Sequence, residues 1–213
     1  MAHTVRLESI NTGPLSTIPG HRSRTGIVKT PHEGAVRVQA LGIAGDAIGD
    51  LRHHGGHDQA VYLYSAADYR WWSDRLGRPC PPGLFGDNLT IDAWWETPRI
   101  GDRLDFGDVL FELTAPRIPC STLAARMENP AFVKAFTDAA RPGAYARVLR
   151  EGTLAAGAVA TLQLAPGTHA SVVDVFHLWS DQAPPADRLA AALAAPLASR
   201  ARVKLAGRTP RTS

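Results

Sequence analysis

Between Val5 and about Leu164 most apolar runs last only a few residues before Gly, Pro or Asp interrupts them. This punctuation constrains the fold more than any other feature, because short runs between turn residues build strands and leave little room for long helices. Val5–Ile10, Gly26–Val28, Ala35–Ala40, Ala60–Tyr64, Asn88–Ile91, Val109–Ala115 and Ala144–Leu149 each read as strands. Ile100-Gly101-Asp102 and Phe106-Gly107-Asp108 bracket a further short strand, Arg103–Asp105. Ala35–Val38 and Phe111–Thr114 alternate with period two, which predicts one buried and one wet face for each. Such closely spaced strands favour an all-β barrel or sandwich over a βαβ sheet.

Two helices interrupt the strands. Ser65-Ala66-Ala67-Asp68 reads as a capping-box variant, followed by Tyr69, Trp72 and Leu76 at helical spacing. Asn129-Pro130 reads as a cap followed by an N1 proline, with Phe132, Val133 and Phe136 as the buried stripe. The pattern changes at Ala165-Pro166-Gly167. Beyond it, Ser171 to Trp179, Asp187–Leu193 and Leu197–Leu205 read as three short helices. The expected division is a barrel over residues 1–166 and a three-helix appendage over 167–213. The appendage is too small to stand alone and needs the barrel or a second chain to cover its Val172, Val175, Phe176 and Trp179 stripe. It is expected to serve assembly or access rather than catalysis, and docking on a second chain would make a homodimer.

Composition removes several function classes. A hydrophobic fraction of 45% is far too high for a disordered chain. The net charge of +3 is carried by scattered Arg rather than basic runs, so specific nucleic-acid binding is not expected. No apolar stretch reaches membrane-spanning length, and the N-terminus lacks a signal-peptide core, so the expected location is the cytoplasm. In that reducing compartment Cys80 and Cys120 should be thiols.

Cys120 lies in Ala115-Pro116-Arg117-Ile118-Pro119-Cys120, directly after a strand. Two prolines stiffen this loop and restrict where Arg117 and Cys120 point. A thiol beside a cation suits a nucleophile or a soft metal ligand, although a small buried hydrophobe is the commoner fate of a lone cysteine. Cys80, between prolines, reads as a loop thiol. His53-His54-Gly55-Gly56-His57-Asp58 is the densest polar cluster. Gly55-Gly56 disfavours the helix that a His53/His57 zinc pair would need, so a turn offering backbone N–H groups to an anion is the leading reading. Lys29-Thr30 offers a charge and a hydroxyl for a phosphate. Asn88 offers a donor and an acceptor for a heterocycle edge. Tyr145 and Arg147 share one face of their strand.

Taken in order, Gly26–Pro31, Gly45-Asp46, Asp50, His53–Tyr62, Gly83–Thr90, Ile100–Asp102, Pro116–Cys120, and Gly143 with Tyr145, Val148 and Leu149 resemble the MOSC family, in a YiiM-like bacterial branch. The likeness runs from about Gly26 to Leu164, and the C-terminal helices resemble the small three-helix domain of that branch. Gln59 departs from the family pattern, which usually carries Lys there. The resemblance implies a mainly β fold, a MOSC-type β-barrel with peripheral helices and a helical appendage. It implies a molybdenum-pterin cofactor with Cys120 as catalytic residue and metal ligand. It places Lys29, Thr30, His54, Gly55, Gly56, Ser65, Asn88, Arg117, Tyr145 and Arg147 among the cofactor contacts. The implied reaction is reduction of small N-hydroxylated compounds such as hydroxylaminopurines and amidoximes. No Rossmann glycine pattern and no cysteine set for an iron–sulfur cluster occurs, so electrons would come from an external flavin- or haem-containing protein. The alternative is a carrier that holds the cofactor, or sulfur as a Cys120 persulfide, without turnover.

Overall fold

The computed structural model describes residues 3–49 and 55–211. In chain order the elements are β1 (Thr4–Thr12), β2 (Thr30–Pro31), β3 (Ala35–Gln39), β4 (Gly42–Ile43), β5 (Val61–Ser65), α1 (Ala66–Leu76), β6 (Leu89–Ile91), β7 (Arg103–Asp105) and β8 (Leu110–Pro116). They continue with α2 (Ser121–Arg126), α3 (Phe132–Ala139), β9 (Ala144–Arg150), β10 (Gly152–Ala155), β11 (Val159–Gln163), α4 (Val172–Ser180), α5 (Ala186–Ala194) and α6 (Ser199–Ala206).

Seven strands close on themselves in the order β1-β11-β7-β8-β9-β5-β6 and back to β1. Closure comes from the antiparallel pairing of β1 with β11, Val5 opposite Ala160. It leaves no open edge around the ring. Val5, Leu7, Leu63, Leu104, Phe111, Leu113 and Ala146 fill the core. β3, β4 and β10 form a separate three-stranded sheet.

The expected barrel forms, with one local departure from an all-antiparallel ring. β5 and β6 run parallel, Leu63 opposite Leu89, with α1 as the crossover, so the barrel contains one βαβ unit. The crossover helix has to be covered, and it buries Tyr69 and Trp72 outside the barrel wall. Trp72 lies among Phe85, Phe132 and Phe136, and its indole N–H donates to the Tyr64 hydroxyl at 2.8 Å. β5 is therefore buried on both faces, barrel core inside and aromatic cluster outside. Ser65 accepts from the Asp68 N–H at 3.0 Å, while the Asp68 carboxylate turns away to Arg141 and Trp94. Only half of the capping box forms.

Gly26–Val28 is not a strand. A Cβ on Gly26 would sit 1.8 Å from the Ala47 carbonyl oxygen, and this close backbone approach replaces a ladder. Asn129 accepts from the Ala131 N–H at 2.9 Å, one step ahead of a helix that begins at Phe132. β8 also departs from its alternating pattern, being buried along nearly its whole length. Its outer face is covered, because α4 packs on β8 and Val172, Val175, Leu178, Ala201 and Leu205 join the barrel core in one cluster. Glu112 and Thr114 on that face survive burial by bonding to Arg103, Arg147 and the Asp58 and Tyr145 carbonyls. The C-terminal helices thus dock on the barrel of their own chain.

Candidate functional site

β8 ends at Pro116, and the stiff Arg117–Cys120 loop leads into α2, with Cys120 in the N-cap position. The loop opens onto a cavity of about 550 Å³, the size of a small-molecule or cofactor site. Arg117, Cys120 and Thr122 line one side. Lys29, Asp46 and Asn88 line another, and Tyr62, Phe85 and Tyr145 give aromatic walls. The segment 21–27 contributes further lining residues. Its His21 Nε2 lies 3.0 Å from the Thr122 hydroxyl, two residues beyond Cys120.

Arg117 is 4% exposed. Its guanidinium lies 5.5 Å from the Tyr62 ring centroid and 5.8 Å from that of Phe136. These faces favour the cation without using its N–H donors. Its Nη1 is buried with no hydrogen-bond partner. Burial works against the cation, but the facing Tyr62, Tyr145 and Cys120 groups outweigh it and raise its pKa. Burial pushes the Tyr145 hydroxyl above the ordinary phenol value, with Arg117 opposing, and Tyr62 rises further for the same reason. Both hydroxyls therefore keep their protons at neutral pH.

Lys29 is also buried, and burial pulls its pKa below 10.5 against the attraction of Asp46. Its ammonium is ion-paired to Asp46. The second Asp46 oxygen accepts from Asn88 Nδ2 at 2.8 Å, and Asn88 Oδ1 accepts from the Tyr62 N–H at 3.1 Å. The other Asn88 amide hydrogen goes to the Asn11 carbonyl. The expected roles of these two residues therefore change. The Lys29 charge is neutralised, and both Asn88 amide hydrogens are committed to protein, so neither is available as an unengaged anchor or reading edge.

Of the other expected contacts, Gly55 joins the cavity wall with Lys29, Asn88, Arg117, Tyr145 and Cys120. Thr30 is exposed on β2 and outside the wall, because the strand turns its side chain to solvent. Ser65 is fully buried as the N-cap of α1 and does not reach the cavity. Gly56 is exposed, one step beyond Gly55. Arg147 points into an ion-pair cluster with Asp58 and Glu112. Asp50, His53 and His54 lie outside the described residues. Gly55 and Gly56 both adopt positive φ, 74° and 80°, a backbone that helix excludes. His57 is exposed, and no group of three His, Cys, Asp or Glu side chains suited to a metal occurs among the described residues. Cys80 is buried away from the cavity, and burial raises its thiol pKa.

Sequence reasoning missed His21, Gln59, Tyr62 and Phe85 as wall residues. Tyr62 and Phe85 also belong to the buried aromatic cluster. His21 sits in a segment with no periodic pattern to place it.

Fold and cavity together define a β-barrel protein that presents the Cys120 thiol and the buried Arg117 guanidinium to a ligand-sized cavity. A profile of the MOSC domain matches residues 50–161. YflK of Bacillus subtilis (strain 168) is 35% identical over 153 residues, covering 70% of this chain and 69% of that protein. A protein named "Reductase" from Gibberella moniliformis is 34% identical over 178 residues, 80% of this chain but only 30% of that protein's length. The crystal structure of YiiM from Geobacillus stearothermophilus superposes with a TM-score of 0.79 at 29% identity, covering 95% of this chain and 97% of that one. The chain belongs to the MOSC domain family and is YiiM-like within it.

Proposed function

We propose that this chain is a molybdenum cofactor-dependent reductase of small N-hydroxylated compounds, with Cys120 as the metal ligand. The observation that carries the reading is the meeting of Cys120 with Arg117 on one cavity wall, where a buried Nη1 lacks a partner. A thiolate is a soft ligand suited to molybdenum, and an unsatisfied guanidinium suits an anionic group of the pterin. The residues therefore fit the cofactor. When bound, it would supply the two-electron chemistry that converts R–NHOH, two electrons and two protons to R–NH₂ and water.

The remaining tasks fall to this chain. The stiff proline loop preorganises Cys120. Tyr62, Phe85 and Ile27 give the cavity its apolar lining. Tyr145 holds a proton at Oη. Electrons come from a separate flavin- or haem-containing protein, a role supported by the lack of a dinucleotide-binding glycine pattern in the sequence. The reductase name of the fungal relative supports the reaction class. No helix among the described residues is long and apolar enough to cross a membrane.

The test is molybdenum and pterin content per chain after expression in a cofactor-competent host, followed by reduction of an amidoxime with a chemical electron donor. Stoichiometric metal with turnover supports the reading. Metal without turnover leaves a carrier, and no metal overturns both.

A further inference from the structure

Residues 200–211 carry five cations, Arg200, Arg202, Lys204, Arg208 and Arg211, and no carboxylate. The whole chain has 23 Lys and Arg against 20 Asp and Glu, and without these five the balance is 18 against 20. The positive charge of the protein is therefore concentrated at this end. Among the described residues none of the five is ion-paired. Arg200 and Arg208 donate to the side chains of Gln59 and Gln182 and to the Trp179 carbonyl, and Arg202 donates to the Leu193 and Ala195 carbonyls. All of these acceptors are neutral. The Lys204 ammonium lies 4.8 Å from the Trp179 ring centroid, and Arg211 is exposed.

Part of this charge has an ordinary explanation. Lys204 and Arg208 lie at the C-terminal end of α6, where the helix dipole favours cations. Arg200 lies in the first turn, where the dipole disfavours them, and it stands four residues before Lys204, a like-charge spacing that costs helix stability. The stripe also has an apolar centre. Val203 is 75% exposed, the most of any large apolar side chain among the described residues, and the half-buried Trp179 ring lies beside Lys204. An apolar centre with a charged rim is the anatomy of a protein-docking face.

α6 is also fastened to the cavity wall. Asp58 Oδ2 accepts from both the N–H (2.7 Å) and the hydroxyl (2.6 Å) of Ser199. This caps the first turn, which Ala198 in the N-cap position cannot do. Arg200 Nη1 donates to Gln59 Oε1 at 3.0 Å, and Gln59 lines the cavity. α6 has eight residues and is about 12 Å long, so a partner seated on it lies one short helix from the cavity.

We propose that the outer face of α6, continued to Arg211, docks an acidic electron-donor protein. This names the surface chemistry of the flavin- or haem-containing partner and rests on the reductase reading above, which needs two electrons per turnover from such a protein. Complementary charge steers such encounters and fixes their register. The exposed Val203 favours a protein over a nucleic acid, whose backbone is held by cationic and polar groups.

The probe is flavodoxin, an acidic FMN-containing carrier, titrated by calorimetry into metal-free full-length protein. Lys204→Glu/Arg211→Glu reverses two exposed charges and leaves the Asp58 cap intact. Arg70→Glu/Lys134→Glu makes the same change in net charge at exposed sites on α1 and α3. One unit of charge at about 8–10 Å in a water-like medium is worth about twofold. The α6 reversal should therefore weaken binding about tenfold at about 50 mM salt, and the difference should shrink at about 0.5 M salt. The α1/α3 variant should stay within about twofold of the parent, because its charges are distant and screened. No flavodoxin binding by the parent, or equal weakening in both variants, overturns the proposal. Tighter binding of a short DNA duplex, abolished by the α6 reversal, gives the face to nucleic acid and overturns it too. Docking is read without metal or turnover. Metal-loaded protein that reduces an amidoxime with a chemical donor but does not bind flavodoxin fails this proposal alone, and binding without turnover fails the reductase reading alone.

Discussion

Lys29 and Arg117 are buried cations on the same cavity, yet only Lys29 is ion-paired among the described residues. Asp46 takes the charge of Lys29, and Asn88 and the Gly13 N–H hold Asp46 in place. Removing Lys29 would leave a buried carboxylate without its cation. Lys29→Met should cost on the order of 3–5 kcal/mol, measured by urea unfolding. The two cysteines differ for an equally local reason. Cys120→Ala should strip molybdenum from the protein. Cys80→Ala, a buried thiol remote from the cavity, should leave metal content unchanged. Metal retained in Cys120→Ala would remove this residue from the site. Arg117 and Cys120 were legible because two prolines within five residues fix their surroundings. The fate of Lys29 was not, because its partners Asp46 and Asn88 are brought to it only by the fold.

At the scale of elements, Asp58 belongs to a turn near the cavity but caps a helix near the end of the chain. Asp58→Ala removes that cap and a half-exposed partner of Arg147. It should cost about 1–2 kcal/mol, mostly from the cap. Burial pushes the Asp58 carboxyl up, but the Ser199 bonds and Arg147 outweigh it and hold the pKa below 3.8. A folded value below the unfolded one gives stability that is fully present above pH 3.8 and is lost as pH falls through the lower folded value. Asp58→Asn should therefore flatten the acid limb of stability against pH, read by thermal melts between pH 2 and 5. The Gly55-Gly56 pair announced a non-helical turn correctly. Its use as a docking clasp was hidden, because Ala198 carries no side-chain signal for a cap supplied from elsewhere.

At the scale of the whole molecule, one apolar cluster runs from the barrel interior into α4, α5 and α6. A chain ending at Ala165 would uncover the outer face of β8, leaving the Glu112 and Thr114 side to solvent, and would delete α6. Such a truncation should melt well below the full-length protein or aggregate, and any soluble fraction should lose flavodoxin binding. Size-exclusion chromatography, thermal melts and the flavodoxin titration check this together. A monomeric truncation with full-length stability and unaltered flavodoxin binding would show that the helices are dispensable to both fold and docking.

Local patterning determined which segments became strands and helices in most places. Short apolar runs between Gly, Pro and Asp mark the ladder of β1, β3, β5, β8 and β9, and period-four stripes mark α1 and α4. Those signals are carried by neighbours in sequence, where steric limits on the backbone and side-chain periodicity act directly. The parallel β5–β6 pair, the double-sided burial of β8, the neutralised Lys29 and the cap on α6 were decided by tertiary structure alone. Each depends on groups from distant segments meeting in a low-dielectric interior. There the energy of a charge or a hydrogen bond is set by what stands opposite it, and no local pattern records that partner.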